Sequence, residues 1–110
     1  MSTIFKKIID KEIPADIVYE DDRFLAFNDV NPQAPVHVLI IPKNEYTGIN
    51  KMTDAEEIGL LFIIGNRIAQ ELKLESGYRF VINQGLDGGQ SVFHTHVHLL
   101  GGRKLNWPPG

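Results

Sequence analysis

Phe93, His94, Thr95, His96, Val97, His98, Leu99 and Leu100, closed by Gly101 and Gly102, form the stretch on which the fold turns. Side chains alternate faces along a strand, so a strand from about residue 93 to 100 places His94, His96 and His98 on one face, about 6.5 to 7 Å apart from one to the next. The chain has four histidines in all. The fourth, His37, sits inside residues 36–41, a run so β-branched and aliphatic that it predicts a strand covered on both faces, ended by Pro42. A second strand able to lie beside the first therefore brings a further imidazole.

The rest of the chain supplies the elements around these two strands. Thr3 caps a short helix to about Asp10, with Ile4, Phe5, Ile8 and Ile9 at helical spacing and Pro14 beyond its end. Residues 16–19 and 23–27 read as a hairpin joined at Glu20, Asp21 and Asp22. Thr53, Asp54, Ala55 and Glu56 have capping-box form, Thr53 paired with Glu56, and open a helix that runs to about Leu74. Its stripe is Leu61, Ile64, Ile68 and Leu72, but Ile58, Leu60, Phe62 and Ile63 make the first half apolar almost all round. One sheet does not cover such a helix, which predicts burial against a second subunit. Gly77 turns the chain into a strand over residues 78–82. This order predicts an α+β domain with a mainly antiparallel sheet.

With 110 residues, 43% of them apolar, one core is expected, and a chain of this size gains from a partner that covers more surface. A formal charge of −3 argues against general nucleic-acid binding, which needs many Lys and Arg on phosphates. The absence of cysteine excludes disulfides and thiolate zinc sites and suits a reducing compartment. Lys6 and Lys7 follow the first residues directly with no long apolar segment, so secretion and membrane insertion are not expected.

Directly before the histidines, Asp87, Gly88, Gly89, Gln90 and Ser91 form a glycine-rich turn whose backbone can approach an anion closely. An anion cradle feeding a row of imidazoles suits phosphoryl or nucleotidyl transfer, which needs donors for non-bridging oxygens, a nucleophile and a proton source. Zinc is the main alternative, because His-x-His on a strand with His37 or water gives a tetrahedral set. Against it, no Asp, Glu or Cys is expected within the histidine cluster as a ligand or as a partner supporting one, and a metal leaves the Gly88, Gly89 and Ser91 loop unexplained. A purely structural role leaves a row of buried polar rings to be satisfied by backbone alone.

The string from His94 to Leu100 resembles the His-x-His-x-His-x-x motif of the histidine triad (HIT) family. Residues 4–9, 11–15, 20–22, 32–35, 40–43, 87–91 and the ending Trp107, Pro108, Pro109, Gly110 resemble its nucleotide-binding branch, a set of purine nucleoside phosphoramidases. The resemblance implies a single HIT domain over residues 1–110, with about five strands and two helices. It also implies a cytoplasmic two-fold homodimer with one ten-stranded sheet, and a tail, residues 103–110, near the partner's active site.

The implied reaction is hydrolysis of the P–N bond of adenosine or guanosine 5′-phosphoramidates, with no metal or organic cofactor. His96 would be the nucleophile, His98 and Ser91 would contact the phosphate and leaving group, and His94 and His37 would tune the proton network. Asn83, Gly89 and Gln90 match phosphate-pocket positions and Asp29 the acid that grips the ribose. Phe5, Ile8, Ile13, Phe27 and Val30 match the purine slot, with Asn28 a departure where some relatives carry histidine. Trp107 would shape the leaving-group side. The remaining alternatives are a diadenosine polyphosphate hydrolase, disfavoured by the short length and the Trp107 tail, a nucleotide-binding scaffold protein, and a zinc-binding protein.

Overall fold

The computed structural model describes residues 2–110. Helix α1, Ile4–Ile9, starts where the Thr3 hydroxyl accepts from the Lys6 backbone N–H at 3.1 Å, as its cap position predicts. Strands β1, Ile17–Glu20, and β2, Phe24–Asn28, form the expected hairpin. Asp21 makes the turn by accepting from the N–H groups of Arg23 and Phe24. Strand β3, Val36–Pro42, helix α2, Ala55–Glu71, and strands β4, Tyr78–Val81, and β5, Val97–Gly101, complete the fold. The sheet order is β1-β2-β3-β5-β4, and every neighbouring pair is antiparallel.

Strand β3 is the central strand, and its near-continuous apolar run is explained by two cores on opposite faces. Val38 and Ile40 join Phe24, Ala26, Val97 and Leu99 under Leu61, Ile64 and Ile68 of α2. Leu39 and Ile41 join Leu25 and Phe27 under Phe5 and Ile8 of α1. The register pairs Leu39 with His98 and His37 with Leu100. His37 and His98 therefore share the α1 face of the sheet.

Three local expectations are corrected. The α2 cap is Asp54, whose side chain accepts from the Glu56 N–H, and not Thr53. The helix ends at Glu71 rather than near Leu74, because Lys73 takes a left-handed φ of 58°. Leu74 N–H then bonds Ala69 O and Lys73 N–H bonds Gln70 O, a Schellman closure with lysine in the place usually given to glycine. The last strand begins at Val97, not Phe93, so of the three triad residues only His98 lies on it.

The over-apolar half of α2 is partly uncovered, with Ile63 52% exposed, and so is Tyr78 on the edge strand β4. No helix among the described residues is long and apolar enough to cross a membrane.

Candidate active site

Residues 92–96 leave the sheet because their bonding groups are used elsewhere. Thr95 N–H donates to Tyr46 O at 2.8 Å, and His94 Nε2 to Pro42 O at 2.7 Å. His94, expected to share a strand face with the others, is instead a buried brace, its ring 6.2 Å from Phe5. His96 is brought beside His98, their ring centroids 4.9 Å apart, and is backed edge-on by Phe5 at 5.0 Å.

The hydrogen bonds fix which nitrogen of each neutral ring carries the proton. His96 Nδ1 lies 2.7 Å from the His94 carbonyl, which only accepts, so Nδ1 holds the proton and Nε2 is a bare lone pair. His37 Nδ1 accepts from the Gln33 backbone N–H at 3.0 Å, so the His37 proton is on Nε2 and is donated to His98 Nδ1 at 2.9 Å. The reverse assignment strips His37 of both protons and makes it an anion. His98 consequently carries its proton on Nε2, and this is the single buried side-chain polar atom among the described residues that lacks a partner. An orphaned donor in a folded protein has a cost unless a ligand or water meets it. The site therefore presents a bare nucleophilic nitrogen next to an unmet N–H.

Electrostatics keep the rings neutral. Burial lowers the pKa of all four histidines, opposed at His94 and His96 by their backbone carbonyls and at His37 by Asp29. His98 falls furthest, to about 4, through burial and then the neighbouring His96 and His37. Each folded pKa lies below the free value of about 6.5, so the unfolded chain takes up protons that the fold excludes. Histidine-linked stability is complete above pH 6.5 and is lost as pH falls from there toward 4. Urea midpoints measured between pH 7.5 and 4.5 should fall steadily over that window, and a flat profile would contradict the assignment.

Asp29, half-buried, places Oδ2 3.5 Å from His37 Nε2. A carboxylate thus does stand within the cluster, contrary to the expectation drawn from the histidine segment alone. Asp29, His37 and His98 each offer an atom within 4.8 Å of the others'.

The glycine-rich turn lies at residues 85–89. Gly89 has φ +83°, and a Cβ on Gly88 would come within 2.3 Å of Gln84 O, so the turn requires glycine at both. Ser91 and Gly89 are exposed and Asn83 is half-buried. Gln90, matched to the phosphate pocket by the resemblance, is buried. Its Oε1 accepts from Gly85 N–H, and its Nε2 donates to Thr47 O and Val92 O, which leaves its amide no free donor.

Of the proposed purine slot, Phe5, Ile8 and Phe27 are buried in the α1 core with Ile13 at its edge, whereas Val30 is 99% exposed on the loop after β2. Asn28 is occupied by Asp16, donating to Oδ2 at 2.8 Å. Trp107 is 79% exposed and stacks with the Arg79 guanidinium, 5.8 Å from its ring centre, rather than with any histidine of its own chain. A cavity of about 700 Å³ lies between residues 73–79 and 102–105, and it is not lined by a histidine.

The HIT domain family model matches residues 10–105. The chain belongs to the HIT family. It is 56% identical to the 14 kDa zinc-binding protein of Zea mays over 98% of this chain and 88% of that protein. It is 51% identical to Adenylylsulfatase HINT1 of Arabidopsis thaliana over 98% of this chain and 76% of that protein. The crystal structure of a HIT family hydrolase from Legionella pneumophila superposes with a TM-score of 0.96 at 48% identity, covering 99% of this chain and all of that one. Within the HIT family the chain falls in the histidine triad nucleotide-binding branch. The five-stranded antiparallel sheet with two helices is the HIT fold.

Proposed function

We propose that this HIT protein is a hydrolase that cleaves the P–N bond of purine nucleoside 5′-phosphoramidates through a nucleotidyl-histidine at His96. The observation that carries the reading is the pairing of tautomers: a bare Nε2 on His96 beside the unmet Nε2–H of His98. The lone pair attacks phosphorus and the P–N bond breaks toward nitrogen. The His98 N–H and the glycine-rich turn face the non-bridging oxygens. Substrate negative charge close to His98 favours protonation of the His98–His37 pair from solvent, and that proton leaves with the amine, aided by the Ser91 hydroxyl. Water then attacks the phosphorus, its proton passing to the now neutral His98–His37 pair, and the P–Nε2 bond breaks with its electron pair returning to His96, which releases the nucleoside monophosphate.

Asp29 accepts from the ribose hydroxyls, Asn83 and Gly89 face the phosphate, and Val30 with the edge of the α1 core receives the base. The partly uncovered α2 face and edge strand β4 suit a two-fold homodimer, in which residues 103–110 reach the partner's site and Trp107 shapes its leaving-group side. The reaction needs no metal. Rates on adenosine and guanosine phosphoramidates, set against diadenosine polyphosphates, test the reading. Phosphoramidates should be preferred by orders of magnitude, and preference for the polyphosphates would overturn it.

A second reading, zinc binding, is favoured by the Asp29, His37 and His98 cluster. A carboxylate and neutral imidazoles are suitable zinc ligands. Two nitrogens on one tetrahedral ion at about 2.0 to 2.1 Å stand about 3.3 Å apart, so the 2.9 Å His37–His98 contact would have to open and give up its shared proton. On this account an ion there competes with turnover, and protein stripped by a chelator should be fully active.

A further inference from the structure

Glu57 is the one buried acidic side chain among the described residues, 3% exposed, and the proposed chemistry makes no use of it. It stands at the third position of α2, where a capping-box glutamate would reach back to the cap N–H. Glu57 reaches outward instead. Oε1 accepts from the Tyr46 hydroxyl at 2.7 Å and Oε2 from Asn44 Nδ2 at 3.1 Å. A buried carboxylate needs such partners, and here both come from one short stretch, residues 42–47, made of the last residue of β3 and the connection after it.

That stretch is the surface on which the histidine segment is hung. Three of its carbonyls accept from the segment: Pro42 from His94 Nε2 at 2.7 Å, Tyr46 from Thr95 N–H at 2.8 Å, and Thr47 from Gln90 Nε2 at 2.8 Å. The bonds to His94 and Thr95 orient the His94 carbonyl, and this carbonyl holds the proton of His96 on Nδ1. The chain of contacts runs from the helix, through Glu57, Tyr46 and Thr95, to the tautomer of His96.

We propose that Glu57 is a positioning residue: by gripping Tyr46 and Asn44 it holds residues 42–47 as a template that keeps His96 with Nδ1 protonated and Nε2 bare. The role rests on the reading of His96 as nucleophile, but its structural half is measurable without turnover. Glu57→Leu removes both acceptors. Tyr46→Phe removes one hydroxyl and leaves the carbonyl of residue 46 in place, so it keeps the fold even if the leucine variant does not. Glu57→Gln still accepts from Tyr46, and Asn44 can reverse its amide to accept from the new NH₂, so this variant is the conservative rescue.

Long-range ¹H–¹⁵N spectra of the His96 ring report the tautomer directly. They are read together with AMP affinity and with kcat per active site, the sites counted by the burst of labelled enzyme. Glu57→Leu and Tyr46→Phe should show a mixture of His96 tautomers and a fall in kcat per site of about 10-fold or more, since small misplacements of a reacting group are costly. AMP affinity should stay within about twofold, and Glu57→Gln should match the wild type. Folded Tyr46→Phe with wild-type His96 nitrogen shifts and wild-type kcat per site would overturn the proposal, even if its melting temperature is lower. If the wild type itself forms no labelled enzyme, the nucleophile reading fails, while the nitrogen shifts still decide whether Glu57 sets the tautomer.

Discussion

Replacement of His96 by alanine will remove turnover of purine phosphoramidates, lowering kcat by about 10⁴-fold or more, as loss of a covalent nucleophile does elsewhere. Nucleoside monophosphate binding will largely survive, because Asp29, Asn83, the glycine-rich turn and the His98 N–H supply the binding contacts proposed for it. Two observations separate this outcome from simple misfolding. The His96 ring is buried against Phe5 at the margin of the α1 core, so its loss leaves a small cavity rather than an unpaired charge. The carbonyl of His94 loses its bond to His96, and the space vacated by the ring is large enough for a water to take its place. Single-turnover kinetics with AMP binding by calorimetry check both halves. Undiminished turnover would falsify the nucleophile assignment.

The second large effect is expected at Gly88. An added methyl would stand 2.3 Å from the backbone oxygen of Gln84 and 2.9 Å from its carbonyl carbon and amide nitrogen. Backbone atoms do not yield as the end of a flexible side chain does, so Gly88→Ala must re-form the turn over residues 85–89. Gly89, buried Gln90 and exposed Ser91 follow directly, and Gln90 loses its bracing geometry to Gly85, Thr47 and Val92. The loop proposed to face the phosphate is displaced while the histidines, held by residues 42–47, stay in place. We expect kcat/KM on a phosphoramidate to fall about 10²-fold with a modest loss of stability. Wild-type kinetics in Gly88→Ala would show that the turn plays no part in holding the substrate.

Local chemistry made most of the fold legible. The Thr3 cap, the Asp21 turn and the unbroken apolar run of β3 each carry their signal in a few neighbouring residues, and each forms where expected. What failed depended on partners distant in the chain. The alternation of residues 93–100 predicts a strand, yet Tyr46 and Pro42 take the bonds of Thr95 and His94 and hold that part out of the sheet. Asp54 rather than Thr53 caps α2, a choice between adjacent good caps that sequence does not make. Lys73 in a left-handed conformation, where no glycine marks it, shortens the helix.

The site divides in the same manner. The histidines and the glycine-rich turn were visible because three imidazoles in seven residues, preceded by adjacent glycines, concentrate one chemistry. The proximity of Asp29 to His37 depends on the loop after β2 folding back beside β3, where Asp29 N–H donates to His37 O. Gln90 is matched to the phosphate pocket by the family resemblance alone, and the three bonds its side chain makes within the fold carry no signal in the sequence. Glu57 had no sequence signal beyond an acid in the first turn of a helix, a position acids favour anyway.

In the proposed reaction the His96 Nε2 lone pair becomes bonded to phosphorus during turnover. The direct measurement is rapid quench of the enzyme with a substrate carrying labelled phosphorus, followed by proteolysis and identification of the labelled residue. Acid-labile label is expected on His96 at near one per site within the first turnover, and none in His96→Ala. Label on another residue, or full product formation with no labelled enzyme at any time, would contradict that reaction.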